Sequence, residues 1–179
     1  EAPALIADEV QALRAATDRP FAVNLIPAAT DPALLDAQID CCLDLGVPAF
    51  SYFWDVVPRA VARVKAAGCL VLHQVGTIRA ARDAEAAGAD VLIAQGIEAG
   101  GHVHGRIGAF ALATALMAET RLPVVVSGGI ADGRGLAAAL AMGTAGVQCG
   151  TAFLATDESF AHDYHKKRLA AADASDTVL

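Results

Sequence analysis

Apolar positions alternate between two rhythms along the chain. Leu5, Ile6, Val10 and Leu13 fall on one face of a helical repeat, with Asp8, Glu9 and Arg14 off it. Asp18-Arg19-Pro20 ends that helix, and Phe21-Ala-Val-Asn-Leu-Ile26, apolar but for Asn24, predicts a buried strand. Thr30-Asp31-Pro32 then starts a helix, with proline inside its first turn, which runs to about Leu45 before Gly46. The same alternation repeats along the chain. Strands are predicted at 49–53, 70–75, 91–94, 123–127 and 145–149. Helices are predicted at 58–67, from Gly76-Thr77 to Gly88, at 109–120, at 132–142 with Asp132 as cap, and from near Asp157 to Ala172.

Strands alternating with helices of this length specify a parallel sheet, and continuous apolar strands mean that both its faces are covered. Strand centres recur about every 21 residues, with the longest gap after residues 91–94. No Gly/Ser/Pro-rich linker divides the chain, so residues 1–179 are expected to be one domain. Two architectures fit: a doubly wound open sheet, or part of a (β/α)8 barrel. The even spacing, and the functional-looking residues after most strands, favour the barrel. Six strands are too few to close eight, so the chain is expected to belong to a longer protein; left alone it would expose two unpaired sheet edges.

Composition narrows the picture. Over half of the residues are apolar and the formal net charge is −7, which speaks against a nucleic-acid partner. No apolar run reaches the roughly 18 residues of a membrane span, and Glu1-Ala2-Pro3 does not read as a signal peptide. Cys41, Cys42, Cys69 and Cys149 form no Cys-x-x-Cys pair, and buried free thiols point to the cytoplasm.

The chemistry concentrates in loops that follow strands. The stretch 94–105 holds four glycines, Glu98, His102 and His104. Gly100 and Gly101 let a ligand lie against the backbone beside His102, whose ring nitrogens can donate or accept a proton. His104 reads as rim, and Glu98 either orients His102 or caps the loop. Spacing supplies no further ligand to join them, so no metal site is expected. Ser127-Gly128-Gly129 and Gly150-Thr151 end consecutive strands, where barrels commonly hold a phosphate on backbone N–H groups. Asn24 and Gln74 are amides in apolar strands and are expected to face a ligand or a hydrogen-bonded layer. A Rossmann fingerprint, a Walker motif and a Gly-x-Ser-x-Gly elbow are all absent from the sequence.

Three motifs together resemble the nitronate monooxygenases, formerly called 2-nitropropane dioxygenases. They are Gln95-Gly-x-Glu98-Ala-Gly-Gly-His102, Ser127-Gly-Gly-Ile-Ala-Asp-Gly-Arg-Gly135 and Gly150-Thr-x-Phe-Leu-Ala-Thr156. The likeness extends to residues 21–25, 51–54 and 72–77, and so covers nearly the whole chain in order. It implies an FMN-dependent (β/α)8 barrel of which this chain supplies about strands three to eight. It implies that Gly128, Gly129, Gly150 and Thr151, with Ser127 nearby, hold the FMN phosphate. It implies that Asn24, Gln74, Gly100 and Gly101 lie along the flavin, and that His102 is the catalytic base or substrate-orienting group. The implied partners are a small nitronate or nitroalkane and O2, with no membrane and with a homo-oligomer left open. Some family members carry lysine where Gln74 stands. Relatives begin with an earlier strand and glycine-rich loop, and continue past Leu179. FMN-dependent enoyl-ACP reductases and NADH:quinone reductases share these motifs, so an NAD(P)H-dependent flavin reductase is the alternative enzyme. The alternative of another class is a degenerate, non-catalytic barrel fragment.

Overall fold

Residues 2–176 are described by a computed structural model; the N-terminal Glu1 and the last residues before the chain's end at Leu179 lie outside the described residues. Helix α1 (Pro3–Ala16) leads into strands β1 (Ala22–Leu25), β2 (Ala49–Tyr52), β3 (Leu70–Val75), β4 (Val91–Gln95), β5 (Val124–Ser127) and β6 (Gly146–Gln148). Between them run α2 (Pro32–Asp44), α3 (Pro58–Ala66), α4 (Ile78–Ala87), α5 (Ala109–Glu119) and α6 (Gly133–Ala141), and α7 (Thr151–Leu154) and α8 (Asp163–Ala171) follow β6. Every neighbouring pair is parallel, and the strand order is β1-β2-β3-β4-β5-β6. That order never reverses, so the doubly wound alternative is excluded and the sheet is wound as in a barrel.

Local chemistry sets the element ends. Asp31 accepts hydrogen bonds from Ala33 N–H and Leu34 N–H, with Pro32 at the first helical position of α2. Thr77 caps α4 through Ala80 N–H, and Asp132 caps α6 through Arg134 N–H and Gly135 N–H. The last predicted helix is corrected. Its first part, from near Asp157, is not helical: Ser159 Oγ accepts Ala161 N–H, and His162 Nδ1 accepts Tyr164 N–H, so α8 starts only at Asp163. A separate four-residue turn, α7, stands directly after β6 instead.

One face of the sheet carries the core. Phe50, Tyr52, Val71, Val75, Leu92, Ala94, Val124 and Val126 are buried against helix residues that include Leu35, Ile39, Val61, Val64, Leu112 and Leu116. Ion pairs lace the helices outside this core: Arg59 and Arg63 to Asp36, Lys65 to Asp90, and Arg82 to Glu119. These pairs are partly or largely exposed and count for little beside the apolar packing. The other face is the concave one. It carries Asn24, Ser51, Leu72 and Val91 in one row, Gln74, Ile93, Val125 and Gly146 in the next, and Gln95, Ser127 and Gln148 nearest the strand ends. Leu70 on this face is 53% exposed, so the concave side is much less covered than the helix side. The thiols of all four cysteines are free, and burial lifts the Cys42 thiol to about 11, which keeps it protonated and inert.

His73 is a polar residue in the core. It is fully buried on the helix side of β3 and edge-on to Tyr52, with Nδ1 3.2 Å from the Gln74 carbonyl oxygen. Its Nε2 has no hydrogen-bond partner among the described residues. Burial pushes its pKa down, and the Gln74 contact only partly opposes this.

Two predictions follow from this packing. The unfolded chain takes up the His73 proton near the ordinary value of about 6.5, whereas the folded chain holds off until a lower pH. Stability is therefore full above about pH 6.5 and falls below it, with a limiting slope of about 1.4 kcal/mol per pH unit. Urea midpoints measured between neutral and mildly acidic pH should show that fall, and His73→Phe should flatten it. Leu112→Ala, in the core, should cost about 2–5 kcal/mol. Leu70→Ala on the concave face should cost under about 1 kcal/mol; equal losses in denaturant melts would contradict the packing.

Candidate active site

Because all six strands run the same way, their C-terminal ends share one edge, and the loops after them meet there. The loop after β4 is the longest, residues 96–108. Its first part lies flat against the two loops that follow in the chain, residue by residue. Glu98 Cβ is 3.5 Å from where a Cβ on Gly129 would stand. A Cβ on Gly128 would fall 2.9 Å from the Ala99 backbone nitrogen. A Cβ on Gly100 would run into Thr151 Oγ1. Gly128 also has φ +115°, so both its backbone conformation and its neighbour require glycine. The three glycine-rich motifs of the sequence are thus one continuous surface.

Glu98 does not reach for His102. Its carboxylate accepts the Ala109 N–H, at 2.9 and 3.2 Å to the two oxygens, and so closes the first turn of α5, where Gly108 has no side chain to do so. A carboxylate there also suits the positive end of the helix dipole. Of the two roles the sequence left open, it takes the capping one.

The sequence-predicted site residues fall into two groups. Gly100, Gly101, Ser127, Gly128, Gly129, Gly150 and Thr151 come from the joined loops, with Ser127 buried and Gly150 and Thr151 exposed. Asn24 and Gln74 sit on the concave face below; Asn24 is exposed, and Gln74 Oε1 accepts a 2.9 Å bond from Gln148 Nε2. Gln74 therefore belongs to a hydrogen-bonded layer, one of the two surroundings its position allowed. His102 is exposed at the mouth. Among the described residues no three His, Cys, Asp or Glu side chains converge as a metal-ligand set.

Two residues missed by the sequence reading hold His102 in place. Gln95, buried at the end of β4, donates from Nε2 to the His102 carbonyl oxygen (2.7 Å), and its Oε1 accepts the His104 N–H (3.4 Å). Trp54, after β2, stands edge-on to His102, with ring centroids 5.9 Å apart and planes at 69°. The same indole stacks on His104 at 5.4 Å and 22°. His104, read from the sequence as rim or surface, is half-buried, with Nε2 3.6 Å from Asp55 Oδ1. Gln95 had a legible signal, being an amide that ends an apolar strand as Gln74 nearly does. Trp54 had none, because its role rests on a backbone angle. Two surface grooves beside α2, α3 and α4 take in Asp55, Arg59 and Arg79 but none of the glycine-rich segments.

The loop surface offers groups of the kind that hold an anionic oxygen. Ser127 brings a buried hydroxyl, Gly128 and Gly129 bring backbone at positive φ, and Thr151 opens a helical turn whose N-terminus has no side-chain cap. Such amides and hydroxyls are what an anionic oxygen binds. No helix of the described residues is long and apolar enough to cross a membrane.

Known proteins share both the sequence and the fold of this chain. A dehydrogenase of Mycobacterium tuberculosis, named for (3aS,4S,5R,7aS)-5-hydroxy-7a-methyl-1-oxo-octahydro-1H-indene-4-carboxyl-CoA, is 38% identical over 176 residues, covering 97% of this chain and 49% of that protein. The structure of FabK from Thermotoga maritima superposes with a TM-score of 0.90 at 36% identity, over 99% of this chain and 56% of that one. Nitroalkane oxidase from Streptomyces ansochromogenes superposes with a TM-score of 0.82 at 34% identity, over 93% and 60% respectively. The chain spans about half the length of the first curated relatives it matches. The profile of the nitronate monooxygenase family, whose members are flavin-dependent oxidoreductases, matches residues 2–179, and this chain belongs to that family.

Proposed function

We propose that the protein is an FMN-dependent nitronate monooxygenase, converting nitronates or nitroalkanes with O2 to a carbonyl compound and nitrite. The observation that carries this reading is the contact of Glu98, Ala99 and Gly100 with Gly129, Gly128 and Thr151, with His102 two residues beyond it. That contact supports a phosphate cradle with the His102 imidazole on the same edge of the sheet. Gly128, Gly129, Gly150 and Thr151, with Ser127, would hold the phosphate. Asn24, Gln74, Gly100 and Gly101 would line the rest of the cofactor.

Bound FMN supplies the electron transfer between nitronate and O2, which no protein side chain offers. The protein's own part is proton handling and orientation. Neutral His102 can take the proton from the carbon beside a nitro group; protonated, it can sit against the nitronate anion. Gln95 fixes the backbone of His102 so that the imidazole is aimed before substrate arrives. We place the protein in the cytoplasm, where four free thiols are kept reduced.

A second reading keeps the site and changes the electron donor: an NAD(P)H-dependent flavin reductase of a quinone or an enoyl thioester. The relative named for a carboxyl-CoA substrate favours a thioester in that case.

Anaerobic mixing separates the two. Propionate 3-nitronate should reduce the flavin, and NADH alone should not; reduction by NADH alone would overturn the first reading in favour of the second. His102→Asn should lower nitroalkane turnover by about 10²–10⁴-fold with the flavin still bound. Loss of the flavin in that variant would show that His102 holds the cofactor.

A further inference from the structure

Trp54 has φ +78°, the only positive φ among the described non-glycine residues. A bulky side chain in the left-handed region is a true outlier, and such strain persists where the surroundings hold it in place for a purpose. A glycine would relax that backbone, so the ring itself is what the position keeps. The ring touches three aromatic neighbours: Phe53 edge-on at 5.1 Å, His104 stacked at 5.4 Å, and His102 edge-on at 5.9 Å.

The backing is specific to this purpose. His104 Nδ1 is buried without a hydrogen-bond partner among the described residues. Its Nε2 lies 3.6 Å from Asp55, which is largely exposed. A buried ring nitrogen left without a partner costs stability. What the imidazole gives here is a flat face for the indole. Gly76 and Gly105 bring the loops after β3 and β4 into backbone contact beside it, where a Cβ on Gly76 would lie 2.5 Å from Gly105 N. The ring thus joins the loops after β2 and β4, and the loop after β3 packs on the backbone beside His104.

We infer that Trp54 is a positioning residue for His102. Its indole, held by a strained backbone and backed by His104, fixes the orientation of the His102 imidazole from the side, while Gln95 fixes the backbone of the same residue from below. The inference rests on the reading of His102 as the proton-handling group, but the ring contact itself does not.

The test uses Trp54→Gly, Trp54→Phe and His104→Ala in the flavin-loaded protein, with turnover of a neutral nitroalkane, nitroethane, whose α-proton His102 must take. Histidine ring resonances by NMR are followed with and without flavin. Trp54→Gly should keep its flavin and its KM and lose about 10- to 100-fold in kcat, and the His102 ring protons should lose the indole's ring-current shift. Trp54→Phe, which keeps an aromatic ring, should restore most of kcat, and His104→Ala should fall in the direction of Trp54→Gly. An unchanged His102 resonance in Trp54→Gly would overturn the contact. An unchanged kcat, or a kcat lost only together with flavin or fold, would overturn the positioning role. If the wild-type protein turns over no nitroalkane, the catalytic role fails with the functional reading, while the resonance still decides the contact.

Discussion

The close backbone approach between the loop after β4 and the loops after β5 and β6 is the constraint on which the site depends. A side chain at Gly128 would strike Ala99, and one at Gly100 would strike Thr151. These contacts convert separate strand-end turns into one surface, and they set where His102 emerges. The sheet makes this possible upstream, because parallel strands in unbroken order deliver every loop to the same edge. The helices contribute by burying the outer face of the strands, which fixes strand parity and so decides which side chains look inward.

Parity also explains the polar rows of the concave face. Gln95, Ser127 and Gln148 align across neighbouring strands, and Gln74 lies one row below, bonded to Gln148. Buried amides are costly unless paired, and here they pair with one another or with loop backbone. The Gln95 side chain links the sheet to the histidine loop through two backbone groups. The scaffold and the histidine loop are thus joined by hydrogen bonds of 2.7 and 3.4 Å between regular structure and loop, an arrangement that favours precise placement.

Much of this was legible in the residues alone. Asp31-Pro32, Thr77 and Asp132 announced helix starts, and Gly46, Gly88 and Gly143 announced helix ends, because capping chemistry is local. The barrel-like winding followed from even spacing, and the convergence of the glycine motifs from their places after consecutive strands. What escaped was non-local or conformational. Trp54 gave no sign of its left-handed backbone, and His104 looked like rim because the indole that covers it lies some 50 residues earlier in the chain. The start of α8 was misjudged because Ser159 and His162 turn the chain locally, against a composition that would suit a helix from Asp157.

The account stands or falls on whether this loop surface holds a flavin. The most direct measurement is the visible absorption spectrum of the protein supplied with FMN, before and after Gly128→Ala. The wild-type protein should show oxidised flavin bands that stay with it through gel filtration, and Gly128→Ala should lose them, because its Cβ would stand 2.9 Å from Ala99 N. A wild-type protein without flavin bands, or a Gly128→Ala variant that retains them in full, would contradict the account.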